Sequence, residues 1–327
     1  MEPRSLVIGG AGFIGATLCR ALLKQGHFVI CIDDLSTGSR ENINDIKSPR
    51  FIFRSMDILD IGPHNITNKL DYVFNLACPA SPVHYAKDPV RTLNICFTGT
   101  QNALNIARES NAKLIFTSTS EIYGEPKVHP QTENYRGNVT TIGPRACYDE
   151  GKRVAETLIT SFCDMYGVDY SIARVFNTYG PRLNAEDGRV ICNFVHQALD
   201  GQALTIYGDG SQTRSFCYVD DTVDCLLRLA FSKEHGPINI GNPEEYTILQ
   251  AANIINKLCG NTTPHTYVSL PKDDPTRRCP DISLAIRKLG WSPKTTFEEG
   301  LKETIKGVQA CITFRSVLHD SSSAKLH

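Results

Sequence analysis

No apolar run in this 327-residue chain is long enough to cross a bilayer; one of the longest, residues 28–32, would fill a single buried strand. The opening residues Met1-Glu2-Pro3-Arg4 lead into a strand pattern without the apolar region of a signal peptide, so no membrane association and a cytoplasmic location are expected. Net charge is almost absent too, at -1, which gives no general attraction for nucleic acid or an anionic surface. Any phosphate on a ligand must therefore be held by a few placed groups. Twelve cysteines are scattered along the chain without one Cys-x-x-Cys pair. Neither a zinc site nor a disulfide framework is expected from that spacing, and reduced thiols are the simpler reading.

The rest is the ordinary mix of a soluble globular protein, 41% apolar and 21% charged. Short, nearly continuous apolar runs at residues 6–8, 28–32, 51–53, 72–76, 114–116 and 170–174 read as strands buried on both faces. Helical patterns at 13–24, 90–108 and 148–166 alternate with them, which argues for an α/β fold with a parallel sheet wrapped by helices. After Pro181 turn signals accumulate, at 208–210, 241–243 and 273–275, with shorter helices expected at 190–199, 220–230 and 248–258. The expected organisation is a nucleotide-binding domain over 1–180 and a smaller substrate lobe over 181–313, with some interleaving. A frayed tail is expected over 314–327.

The first strand runs into Gly9-Gly10-Ala11-Gly12-Phe13-Ile14-Gly15, and a helix pattern follows at once. Glycines at 9, 12 and 15 suit a tight turn, a close backbone approach to a pyrophosphate and close packing of helix on strand. The helix N-terminus offers free N–H groups to the phosphate. Asp33, at the end of the second strand, can accept hydrogen bonds from ribose hydroxyls and would repel a 2′-phosphate. NAD is therefore favoured over NADP.

Tyr148 and Lys152 lie four apart and share one helix face. A lysine ammonium near a phenol stabilises the phenolate, so that tyrosine can take a proton from a sugar hydroxyl. Thr117-Ser118-Thr119-Ser120-Glu121 closes a strand at its carboxyl end, where ligands bind in open parallel sheets. Thr119 is the candidate partner for the reacting oxygen.

The glycine loop, the Tyr148/Lys152 pair and the segment 174–182 (RVFNTYGPR) together resemble the extended short-chain dehydrogenase/reductase, or NAD-dependent epimerase/dehydratase, family. Within it, segments 76–82 (LACPASP), 118–124 (STSEIYG), 143–156 (GPRACYDEGKRVAE), 207–214 (YGDGSQTR) and 273–281 (DDPTRRCPD) resemble the UDP-glucuronate decarboxylases. The match runs in order over roughly residues 4 to 310. It implies a Rossmann-type doubly wound sheet with a smaller C-terminal lobe, and conversion of UDP-glucuronate to UDP-xylose through a 4-keto sugar with internally recycled NAD. Related 4,6-dehydratases carry an Asp where this chain has Ser120, and a serine hydroxyl cannot act as the acid that expels a leaving hydroxyl. A 4,6-dehydratase, a 4-epimerase and a non-catalytic NAD-binding regulator are the alternatives.

Carried over residue by residue, the resemblance implies catalytic roles for Tyr148, Lys152, Thr119, Ser120, Glu121 and Arg278. The implied cofactor set is Gly9, Gly12, Phe13, Ile14, Gly15, Asp33, Asp57, Ile58, Leu76, Tyr148, Lys152, Thr178 and Arg189. For the sugar nucleotide it is Pro79, Ser81, Tyr85, Asn177, Asn193, Tyr207, Gln212, Arg214, Tyr218 and Arg278. Arg182 shares a loop with Arg189, where relatives contact the cofactor or a closing lid. A homodimer is implied, through the helices near 90–108 and 148–166. Two departures, Ile8 for the usual Thr and Cys96 for an Asn near the cofactor, predict altered affinity. Trp291 is read as packing.

Overall fold

The computed structural model describes residues 2–66, 69–270 and 277–323, without the side chains of residues 185 and 313–323. Strands β1 (Arg4–Ile8), β2 (Phe28–Asp33), β3 (Phe51–Ser55), β4 (Tyr72–Asn75), β5 (Lys113–Thr119) and β6 (Tyr170–Val175) pair in parallel. The chain then forms short strands β7 (Thr178–Tyr179), β8 (Thr205–Tyr207), β9 (Thr213–Ser215) and β10 (Cys217–Tyr218) before β11 (Ile238–Ile240), which joins the sheet beside β6. The order is β11-β6-β5-β4-β1-β2-β3, with the switch of direction between β1 and β4. The seventh strand thus comes from beyond residue 180. It is three residues long, and so short an apolar run gives no periodicity to read. Beyond it, β12 (Glu245–Thr247) and β14 (Arg277–Arg278) flank β9 in a second, three-stranded sheet, while β13 (Thr266–Val268) pairs with β8.

The helices are α1 (Phe13–Lys24), α2 (Pro82–Tyr85), α3 (Pro89–Asn94), α4 (Thr100–Ser110), α5 (Ala146–Tyr166), α6 (Val190–Leu199), α7 (Val219–Phe231), α8 (Ile248–Cys259), α9 (Ser283–Leu289) and α10 (Phe297–Ser323). A π turn, Ile95–Gly99, joins α3 to α4, so the helix expected over 90–108 carries a local widening. The backbone of the expected tail is helical as far as Ser323; residues 324–327 lie outside the described residues, as do 273–276 of the quoted 273–281 segment.

Alternation along the buried strands sends side chains into two cores. Leu6, Ile8, Ile30, Ile32 and Phe116 pack with Ala103, Leu104 and Ala107 of α4 and Ala155 and Ile159 of α5. Val7, Val29, Cys31, Phe74 and Ile240 pack against α1 and α7, a cluster that continues to Trp291 and into the second lobe. Both faces are covered, as a parallel sheet requires.

A polar network ties α5 to the sheet edge. Arg174 on β6 donates to both carboxylate oxygens of Glu156 on α5, at 3.0 and 2.7 Å, and to the Tyr123 hydroxyl at 3.1 Å. Tyr123 in turn donates to Asn239 on β11 at 2.8 Å. Removing one partner of a buried ion pair leaves an uncompensated charge. Glu156→Ala is therefore expected to lower the unfolding free energy by about 3–5 kcal/mol in urea titration. Adding Arg174→Met is expected to restore part of the loss, since no charge is then stranded.

Candidate active site

The carboxyl ends of β1, β2, β4, β5 and β6 and the inner face of the second lobe enclose a cleft of about 1000 Å³. At its floor, Gly9 N–H donates to the Ile32 carbonyl at 2.8 Å, folding the loop back onto β2. Gly9 has φ +80°, and a Cβ there would lie 2.8 Å from Ala77 N. A Cβ on Gly15 would sit 2.1 Å from the Gly9 carbonyl oxygen. The loop is thus closed on α1 by glycine alone, which leaves the helix N-terminus bare toward the cleft. Asp33 points into the same space. Its carboxylate accepts from Ala11 N–H at 2.9 Å and Leu35 N–H at 2.8 Å. Burial raises its pKa, and those backbone donors oppose the rise. A bare helix end and an acceptor carboxylate at the end of β2 fit a pyrophosphate and a ribose, so these residues suit NAD.

Tyr148 and Lys152 both line the cleft, one helical turn apart on α5. Tyr148 is 5% exposed, and its ring stacks on Tyr85 with centroids 5.1 Å apart and planes at 6°. Burial pushes the phenol well above its ordinary pKa, Cys78 and Glu121 add to that, and a hydrogen bond with Thr119 opposes it. Thr119 Oγ1 already accepts from Glu121 N–H at 3.2 Å, so its own proton is free to be donated to the tyrosine oxygen. Lys152 Nζ donates to the Thr117 carbonyl at 2.8 Å and lies 6.0 Å from the Tyr148 ring centroid. That anchoring holds the ammonium beside the phenol, where it favours the phenolate.

The same cleft is lined by an ionic cluster. Arg278 is 2% exposed; its Nη1 donates to Glu121 Oε1 at 2.9 Å and to Ser120 Oγ at 3.1 Å, and its Nη2 to the Gly124 carbonyl at 3.0 Å. Its Nε is buried and has no partner among the described residues. Arg145 pairs with the other Glu121 oxygen. Burial alone would raise the Glu121 carboxyl, but Arg278 and Arg145, with Arg214 behind them, hold it down at about 2. Next along α5 the opposite happens. Burial and the Glu121 charge raise Asp149 to about 7, against Arg145 and Arg278, and its Oδ1 has no partner among the described residues.

Most of the expected residues meet here: Gly9, Gly12, Phe13, Ile14, Gly15, Asp33, Ile58, Leu76, Pro79, Tyr85, Thr119, Ser120, Glu121, Asn177, Thr178, Arg189, Asn193, Tyr207, Gln212, Arg214 and Arg278 all line the cleft. Three others do not. Asp57 turns its carboxylate to Arg91 at 2.5 Å and to Leu59 N–H at 2.9 Å. Ser81 is fully buried under α2, whose first N–H groups bond to its carbonyl. Tyr218 packs edge-on against Tyr179 at 5.7 Å, behind the wall. Arg189 and Arg182 line the cleft while paired with Asp187 and Asp45. Sequence reasoning missed Arg145, which lines the cleft, and Asp149 beside it on α5, which does not. The signal was their place within one turn of Tyr148, but nothing local says which way they face.

Because a methyl on Gly15 would overlap a backbone oxygen, Gly15→Ala must shift the loop or the helix. It is expected to weaken NAD binding at least about tenfold, near 1.4 kcal/mol, by fluorescence titration, with the circular dichroism of the wild type retained.

The sequence matches the NAD dependent epimerase/dehydratase family over residues 5–241. It is 48% identical over 304 residues to UDP-glucuronic acid decarboxylase 6 of Arabidopsis thaliana, covering 91% of this chain and 86% of that protein. It is 46% identical over 305 residues to UDP-glucuronic acid decarboxylase 1 of Xenopus tropicalis, covering 93% and 72%. Among solved structures, UDP-glucuronic acid 4-epimerase from Bacillus cereus, in complex with UDP-glucuronic acid and NAD, superposes with a TM-score of 0.85 at 29% identity, covering 94% of this chain and 99% of that one. With the glycine loop, the acidic end of β2 and the Tyr148/Lys152 pair in their places, the chain belongs to the NAD dependent epimerase/dehydratase family.

Proposed function

We propose that this protein decarboxylates UDP-glucuronate to UDP-xylose through a 4-keto intermediate, with NAD regenerated in each cycle. The observation that carries the reading is the Ser120–Glu121–Arg278 cluster lining the same cleft as Tyr148, next to the Thr119 that hydrogen-bonds it. Relatives that are 44–48% identical over 91–98% of the chain carry the name UDP-glucuronic acid decarboxylase, which supports the same substrate.

Tyr148 takes the proton from the sugar O4; the Thr119 hydroxyl and the Lys152 ammonium, joined by the positive nicotinamide ring when NAD is bound, offset the burial that otherwise keeps the phenol protonated. NAD, when bound, accepts the C4 hydrogen as hydride and later returns it. The oxidised sugar is a β-keto acid, so the C5–carboxylate bond breaks with its electrons passing to the C4 carbonyl, and carbon dioxide leaves. The proton that then reaches C5 does not come from Glu121, which two guanidinium groups keep ionised. Glu121 and Arg278 instead orient a water to deliver it. Tyr148 returns its proton to O4. Ser120 keeps the pocket free of the acid that a dehydratase needs.

Purified protein incubated with UDP-glucuronate and NAD is expected to release carbon dioxide and yield a UDP-pentose by mass spectrometry. UDP-galacturonate as product would establish a 4-epimerase instead. Tyr148→Phe is expected to lower kcat by about 10²–10⁴-fold, and near-normal turnover in that variant would sink the assignment of the base.

A homodimer through α3, the π turn and α5 is part of this proposal. Leu93, Phe97 and Val154 are exposed on those packed segments, Phe97 at 44%. Phe97→Glu is expected to shift the mass seen by light scattering from two chains to one. No helix among the described residues is long and apolar enough to cross a membrane. Twelve free cysteines, eleven of them buried or half-buried, support a reducing compartment, which we take to be the cytoplasm.

A further inference from the structure

Three donor groups far apart in sequence converge behind Arg278. His129 precedes Pro130 in the loop after β5, Glu245 opens β12, and Cys279 follows directly on β14. His129 Nε2 lies 2.8 Å from Glu245 Oε2, and one ligand atom from each residue falls within 4.8 Å of the other two. Zinc bonds of about 2.0–2.3 Å to nitrogen, oxygen and sulfur place tetrahedral ligands roughly 3.3–3.8 Å apart, so small side-chain shifts would close the set.

The surroundings hold the donors in place. Thr213 Oγ1 donates to Glu245 Oε1 at 2.7 Å, the kind of outer hydrogen bond that orients a ligating carboxylate. Cys279 is 2% exposed, and its backbone is clamped by Gln131: Cys279 N–H donates to Gln131 Oε1 and Gln131 N–H to the Cys279 carbonyl, both at 2.9 Å. The His129 ring is partly open to solvent, which leaves room for a water as fourth ligand.

We propose that His129, Glu245 and Cys279 form a binding site for a borderline-soft divalent cation, zinc above all, with one coordination position open. Thiolate, imidazole and carboxylate together suit that class of ion better than magnesium or calcium. Bound there, the ion ties β12 and the His129 loop to β14, the strand that carries Arg278.

The test is titration of the full-length protein with Co²⁺ alone, followed by displacement with Zn²⁺. One cobalt per chain is expected, with a thiolate-to-cobalt charge-transfer band in the near ultraviolet and visible bands of tetrahedral intensity. Cys279→Ser is expected to abolish the charge-transfer band, and His129→Gln to weaken binding at least about tenfold. Absence of the band in the wild type, or its persistence in both variants, would overturn the proposal. Should Cys279→Ser fail to fold, His129→Gln decides alone: its ring is solvent-facing, and unchanged cobalt affinity in that variant rejects the site.

Discussion

A parallel sheet can leave neither face in water, and that single requirement organises this molecule. Each strand must be followed by a crossover that covers one face, so α1 and α7 lie on one side and α4 and α5 on the other. Because the strands are parallel, their carboxyl ends all emerge at the same edge. The glycine loop after β1, Asp33 at the end of β2, the 76–82 segment after β4 and the Thr119–Glu121 segment after β5 become neighbours by that geometry alone. The cleft follows from satisfying the sheet.

Within the cleft, burial sets the chemistry. Three groups that water would leave near their ordinary pKa values are driven apart. Glu121 is pinned low by two arginines, Asp149 is raised by burial and the Glu121 charge, and Tyr148 is raised by its own burial. A buried carboxylate held between Arg278 and Arg145 is a fixed charge rather than a proton carrier. That fixed charge also holds Arg278 in place, so the orientation of the arginine and the ionisation of the glutamate are one property. Two interactions make it: a salt bridge in low dielectric and the Ser120 hydroxyl beside it.

Much of this was legible in the chain. Helices α1 and α6 begin and end at the residues where their patterns do, because Gly12 and Arg189 before them are extended and the apolar spacing is strict. The first six strands are present wherever a continuous apolar run was seen. The seventh was not, because Ile238–Ile240 owes its place to β6 rather than to its own three residues. Arg145 escaped for a similar reason: its value lies in meeting Glu121, 24 positions away. Asp57 and Tyr218 fall behind the cleft wall, since Arg91 and Tyr179 take up their side chains first, and Ser81 is buried where its carbonyl starts α2. The absence of metal-type spacing among the cysteines describes local pattern only and says nothing about His129, Glu245 and Cys279, which the tertiary fold brings together.

By itself the sequence determined what short-range physics determines: strand and helix periods, the glycines that let backbone approach backbone, the acidic end of β2, and the four-residue spacing that puts Tyr148 and Lys152 on one face. These depend on neighbours within a turn or two, and a chain carries that information locally. Tertiary structure alone decided the pairings across long separations, Glu121 with Arg278 over 157 positions and His129 with Glu245 over 116. It also decided the pKa values, because a charge is shifted by the dielectric and by the partners around it, and neither is a property of its neighbours in sequence.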